Sequence, residues 1–291
     1  MHLMIFGAGY SGKEIGRALA PNATQVAGTI RSADKAGALA DCGMEAFIFD
    51  GETIDPALKH KLRSVTHIVQ TIPPGDNGDP LLRAARGATR QDFPSLQWIG
   101  YLSTIGVYGD HKGEWIDETA QCRPTSLRSQ LRYETERSWL QAGANHCIPV
   151  AIMRLSGIYG PGRNVFLKLR DGSSKRVIKP GQVFNRVRVE DVGFSTAFLA
   201  EHGFGGVFNI TDDEPAPPQD VIVEAARLMG IAPPPEVAFE AAEMSDMARS
   251  FWSDNKRVSN KKICNLGYEF EFPNYRQSLK QMWELGRQDT A

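Results

Sequence analysis

The 291-residue chain carries 33 Lys and Arg against 34 Asp and Glu, with 42% apolar and 23% charged residues. That balance suits a soluble folded chain and gives no electrostatic reason to expect nucleic acid or an anionic membrane surface as a partner. No run approaches the ~20 apolar residues that a membrane-spanning helix needs.

Cys42, Cys122, Cys147 and Cys264 are scattered without a Cys-x-x-Cys pair, and the six histidines show no metal spacing. Reduced thiols, a cytoplasmic setting and no metal site are therefore expected. Met1 leads straight into an apolar run without a basic n-region, so no secretory signal is expected.

In chain order, His2–Phe6, Gln25–Thr29, Glu45–Phe49, His67–Ile72 and Trp98–Ser103 read as strands, and Ile148–Leu155 as a sixth buried one. Helical patterns lie between them near Ser11–Ala20, Pro56–Arg63, Pro80–Thr89 and Ser126–Leu140. This alternation predicts an α/β fold with a parallel sheet and right-handed crossovers. Beyond Ser156, glycines and prolines break the rhythm. Strand character resumes at Val187–Val192 and Val207–Ile210, and a helix is expected near Gln219–Met229.

The first strand runs into Gly7-Ala-Gly9-Tyr10-Ser11-Gly12 and then a helix with Ile15, Ala18 and Leu19 on one side. Gly-x-Gly-x-x-Gly between strand and helix is a dinucleotide cradle. Gly7 permits the turn, Gly9 lets backbone approach a pyrophosphate, and Gly12 allows close helix packing. The helix N-terminus adds free N–H groups and a positive dipole end. The second strand ends in Arg31-Ser32 with no carboxylate, where an acidic residue usually grips the ribose of NAD. A guanidinium there pairs with a 2′-phosphate, so NADP is favoured over NAD. Asp34 remains an alternative ribose acid. Asp50, after the third strand, is either an adenine contact or a turn former. Thr71, Ile72 and Pro73 follow the fourth strand, where Ile72-Pro73-Pro74 would form an apolar wall beside the cofactor.

Trp98-Ile-Gly-Tyr-Leu-Ser103-Thr104-Ile-Gly-Val-Tyr108-Gly109 is a further motif, joined by Met153-Arg-Leu-Ser-Gly-Ile-Tyr159-Gly-Pro-Gly-Arg163 and Asn185-Arg186-Val-Arg188-Val-Glu190-Asp191. With the glycine motif, these resemble the extended short-chain dehydrogenase/reductase superfamily, and within it the NAD-dependent epimerase/dehydratase type, over about two thirds of the chain. The resemblance implies a Rossmann-type doubly wound parallel sheet with a smaller C-terminal substrate lobe. The dinucleotide-binding domain would take 1–155 plus about 186–212, and the lobe about 156–185 plus 213–291. It also implies hydride transfer on a small-molecule substrate, with a homodimer paired through two helices.

In that superfamily a Ser or Thr after the fifth strand hydrogen-bonds the reacting oxygen, and a Tyr-x-x-x-Lys pair on the next helix moves the proton. Thr104 fits the first position, and Ser103 would lie beside the cofactor. Counting on to the helix places Arg128 and Arg132 at the Tyr and Lys positions, with Glu136 on the same face. A guanidinium stays charged and is a poor proton donor. A second register uses Tyr133 and Arg137, which keep the spacing of four. A plain amphipathic helix, with Leu127, Leu131 and Leu140 inward, is a third reading.

Tyr108, Asn185 and Arg186 are candidate substrate contacts, His111 is more readily a loop residue, and Asn255–Asn260 has no assigned role. The sequence thus supports an NAD(P)-dependent oxidoreductase acting on a hydroxylated or carbonyl compound such as a nucleotide-sugar. Its rival is a catalytically degenerate NADP(H)-binding sensor.

Overall fold

A computed structural model describes residues 1–87 and 90–289. Its centre is a seven-stranded, wholly parallel sheet. In chain order the strands are β1 (His2–Phe6), β2 (Gln25–Ile30), β3 (Glu45–Ile48), β4 (His67–Gln70), β5 (Trp98–Thr104), β6 (Val150–Leu155) and β7 (Gly206–Ile210). Across the sheet the order is β7-β6-β5-β4-β1-β2-β3. The order reverses beside β1, which opens a crevice at the carboxyl ends of β1 and β4.

Alternation along β1 sends Leu3 and Ile5 to one face and Met4 and Phe6 to the other, each fully buried in its own apolar cluster. Burying a side chain of this size contributes roughly 1.5–3 kcal/mol. The first face is covered by α1 (Tyr10–Leu19) and by a second helix, Val189–Glu201. The other is covered in part by α2 (Leu127–His146), whose Trp139 is wholly buried. A third cluster joins Phe166, Ala225, Tyr275, Leu279 and Met282 beyond the end of the sheet.

Three expectations need correction. Val187–Val192 is not one strand. Extended backbone covers only Arg186–Arg188, and the helix Val189–Glu201, our α3, starts at once. Glu190 and Asp191 in its first turn favour a helix N-terminus. In α2, Leu127 and Leu140 are exposed, and the buried residues are Thr135, Glu136, Trp139 and Gly143. The helix expected at Pro80–Thr89 forms over Pro80–Ala84, capped by Asp79, and its expected end at Thr89 lies outside the described residues.

Candidate functional site

At the crevice the structure has one long cleft of about 2050 Å³. One end is the glycine loop. Gly7 has φ +84°, and a Cβ there would lie 2.7 Å from the side chains of Ile72 and Thr71. A Cβ on Gly12 would lie 2.9 Å from the Gly7 carbonyl oxygen. The loop therefore closes on itself only with glycine at both places. Gly9 differs: its nearest neighbour would be 3.9 Å away, so its α-carbon faces open cleft. Thr71 clamps the loop from β4, its hydroxyl donating to the carbonyls of Gly7 (2.6 Å) and Phe6 (3.0 Å). Tyr10 and Ser11 open α1 against the same wall.

Arg31 and Lys35 line the rim beyond β2. Lys35 is a second cation that sequence reading passed over. Ser32 and Asp34 are not on the wall; the Ser32 hydroxyl bonds the Asp34 carboxyl and holds it below its usual range. Asp34 is thus not placed to grip a ribose. Asp50 lines the cleft, but its carboxylate accepts from the backbone N–H of Glu52 (2.8 Å) and Thr53 (3.0 Å), which keep its pKa low. Ile72 and Pro73 form an apolar strip of the wall.

Further along, β5 delivers Ser103 and Thr104. The Ser103 hydroxyl donates to Glu136 Oε1 at 2.5 Å, and Glu136 also pairs with buried Arg154 at 2.7 Å. Thr104 Oγ1 accepts from Gly106 N at 3.1 Å. Ser126 caps α2, and the following turns bring Arg128, Ser129 and Arg132 to the wall. Arg132 donates to the Leu102 carbonyl and lies 5.8 Å over the Tyr101 ring.

Tyr133 instead packs against the cluster of Val107, Tyr108, Ile116 and Val258, and neither it nor Arg137 lines the cleft. One residue of helix turns the side chain by about 100°, which separates Tyr133 from the Arg128–Arg132 face. A phenol-and-cation pair at Tyr133 and Arg137 is therefore not brought to Thr104.

At the far end the wall carries Arg163, Lys168, Lys175 and Arg186, with Glu243 as a carboxylate, while Asp254 and Lys256 line it nearer α2, where Thr125 bonds Asp254. Burial pushes the Arg186 guanidinium below its ordinary pKa, although Asp212 nearby opposes this. Arg186 donates to the carbonyls of Phe184 (2.9 Å) and Ala216 (3.1 Å). Asn185 lines the cleft, but both ends of its amide are engaged, by the Lys256 carbonyl (2.9 Å) and by Val258 N (2.8 Å).

Tyr108, expected as a substrate contact, is a correction. It is wholly buried under the cleft, its hydroxyl donates to Asn209 Oδ1 at 2.7 Å, and Arg154 covers its ring at 4.7 Å. His111 bonds the Tyr108 carbonyl and lies off the wall. Arg163 and Lys256 stood in motifs already noted, but nothing in their spacing showed that they share a cavity.

Among known proteins, no protein-family model and no curated protein matches this chain. Among solved structures, a functionally unknown conserved protein from Silicibacter pomeroyi DSS is similar over 98% of this chain and 99% of its own, with 40% identity and a TM-score of 0.88. The dTDP-glucose 4,6-dehydratase from Bacillus anthracis, in complex with NAD, is similar over 98% and 96% at 17% identity, TM-score 0.76. UDP-glucuronic acid 4-epimerase from Bacillus cereus, also with NAD, covers 98% of both chains at 17% identity, TM-score 0.75. The last two are likenesses of fold.

Proposed function

We propose, for a chain that belongs to the family of the conserved Silicibacter pomeroyi protein of unknown function, a nicotinamide-dinucleotide-dependent oxidoreductase acting on an anionic hydroxylated or carbonyl compound. The observation that carries this reading is the continuity of the cleft, from the glycine loop past Thr104 to a wall rich in Arg and Lys. The open face of Gly9 and the N-terminus of α1 suit a pyrophosphate. Arg31 and Lys35, without a wall carboxylate at the end of β2, favour NADP over NAD. The NAD carried by the dehydratase and epimerase of like fold makes NAD the runner-up. Their nucleotide-sugar substrates, set beside the cation-lined end, make a nucleotide-sugar the substrate class to try first.

When bound, the cofactor supplies or accepts a hydride at its nicotinamide. Thr104 would hydrogen-bond the reacting oxygen. Arg132, fixed on the Leu102 carbonyl, would hold the neighbouring ribose or a phosphate as a permanent cation. The elements after Ser156 that carry Arg163, Lys168 and Lys175 would serve as the substrate lobe.

The guanidinium pair at Arg128 and Arg132 favours a second reading, a dinucleotide-binding sensor without turnover. Fluorescence titration with NADPH and NADH, followed by oxidation-state assays against a panel of nucleotide-sugars and simple carbonyls, separates the two. Tighter NADPH binding with turnover of at least one compound is expected. Binding without any turnover selects the sensor, and no binding of either dinucleotide removes both readings.

A further inference from the structure

If the cleft is a redox site, neither of the two arginines supplies its proton. Among the described wall residues there is no His and no Cys. The wall phenols are Tyr10 and Tyr159, and burial pushes both far above the ordinary tyrosine pKa, helped by Glu190 and Asp212 respectively. Tyr10 also spends its hydroxyl proton on the Pro161 carbonyl at 3.0 Å. Asp50 and Glu52 belong to the Arg31 end.

Beside the N-terminus of α2 stand Asp254 and Lys256. The Thr125 hydroxyl, next to the helix cap Ser126, donates to Asp254 Oδ1 at 3.1 Å. Asp254 Oδ2 lies 3.4 Å from Lys256 Nζ, and Nζ donates to the Gly109 carbonyl at 2.6 Å. Gly109 ends the short turn Ile105–Tyr108 that begins at Thr104. The ammonium thus lies along the stretch that joins Thr104 to the first turn of α2, with only 6% of its side chain exposed. An ammonium has three donors, and two have partners here. Burial lowers the Lys256 pKa, while Asp254 and, less strongly, Asp110 oppose that shift.

We propose that Lys256 is the proton-transfer group of this cleft, a reading that rests on the cleft being a redox site. In the reducing direction, a substrate carbonyl takes a hydride from the reduced cofactor at carbon, and its π electrons move to oxygen. The oxygen takes a proton from Lys256 Nζ, leaving an alcohol, an oxidised cofactor and a neutral amine that regains its proton from solvent. The reverse direction starts from the neutral amine as base. A buried lysine suits both, because desolvation disfavours the charged form and so eases release of its proton.

The test uses the full chain labelled with ¹³Cε-lysine. The Lys256 resonance is assigned by its loss in Lys256→Arg, and its titration is followed with NADPH and then with NADP⁺. Oxidation places a positive charge on the nicotinamide. A lysine at the reacting centre should therefore titrate about one unit or more lower with NADP⁺ than with NADPH. A lysine that only ties the Gly109 loop would titrate identically with both forms, and that result overturns the proposal while leaving the redox reading intact. Failure to bind either dinucleotide overturns both.

Discussion

The most exacting prediction concerns Glu136. Its carboxylate accepts from Arg154 through Nε (3.1 Å) and Nη2 (2.7 Å) and from the Ser103 hydroxyl (2.5 Å). The Glu136 and Arg154 side chains are only 2% and 6% exposed. Glu136→Ala leaves the Arg154 guanidinium buried without its counter-charge, and removing one partner of such a pair costs about 3–5 kcal/mol. At roughly 2.1 cal/mol/K per residue over 291 residues, the unfolding entropy is about 0.6 kcal/mol/K, so Tm should fall by about 5–8 °C. Replacing both partners by apolar residues, Glu136→Leu with Arg154→Met, removes the stranded charge and should recover most of that loss. Thermal unfolding of Glu136→Leu, Arg154→Met and the double variant, read by circular dichroism beside Glu136→Ala, forms the cycle. The reasoning fails if Glu136→Ala costs under 1 kcal/mol, or if the double variant loses the sum of the single losses.

The glycine loop predicts a contrast. Gly12→Ala should cost about 1–3 kcal/mol, because its methyl would meet the Gly7 carbonyl oxygen at 2.9 Å. Gly9→Ala should leave thermal stability within about 0.5 kcal/mol yet weaken NADPH binding at least tenfold; equal effects at both positions would refute the assignment of the open face. Arg31→Asp should weaken NADPH roughly 10- to 100-fold relative to NADH in fluorescence titration, the range of one or two charge-assisted hydrogen bonds, and unchanged preference removes the argument from Arg31. Burial, with a smaller contribution from the positive N-terminus, lowers the His67 pKa to about 4. Because this folded value lies below the unfolded one, the stabilisation is complete above pH ~6.5 and is lost as pH falls towards 4, by up to about 3 kcal/mol. Urea denaturation of His67→Gln across that window should show a shallower acid slope; an identical slope shows that His67 is not the group.

What was legible depended on whether backbone geometry or side-chain partnership decided the outcome. Gly7, Gly9 and Gly12 could be read from sequence because all three fall in one strand-turn-helix unit, where spacing determines position, although Thr71 and Ile72, which crowd Gly7, come from beyond it. The parallel sheet followed equally well from the alternation of short apolar runs with helical ones, although its strand order did not. Helix α2 resisted the same treatment. Its leucines mark no continuous stripe, and its buried face is set by Glu136 finding Arg154 and Ser103 on strands brought close only by the fold. That polar anchor fixes the rotation of the helix. Arg132 and Arg128 stand four and eight residues before Glu136, so anchoring Glu136 inward carries both guanidinia towards the cleft and Tyr133 away from it. The same logic hid Lys256: it lies almost 150 residues beyond Gly109, and the 2.6 Å bond between them exists only in the folded chain. A buried charge is positioned by its partner rather than by its neighbours in sequence, so the proton-transfer side of this site had to be read from the fold.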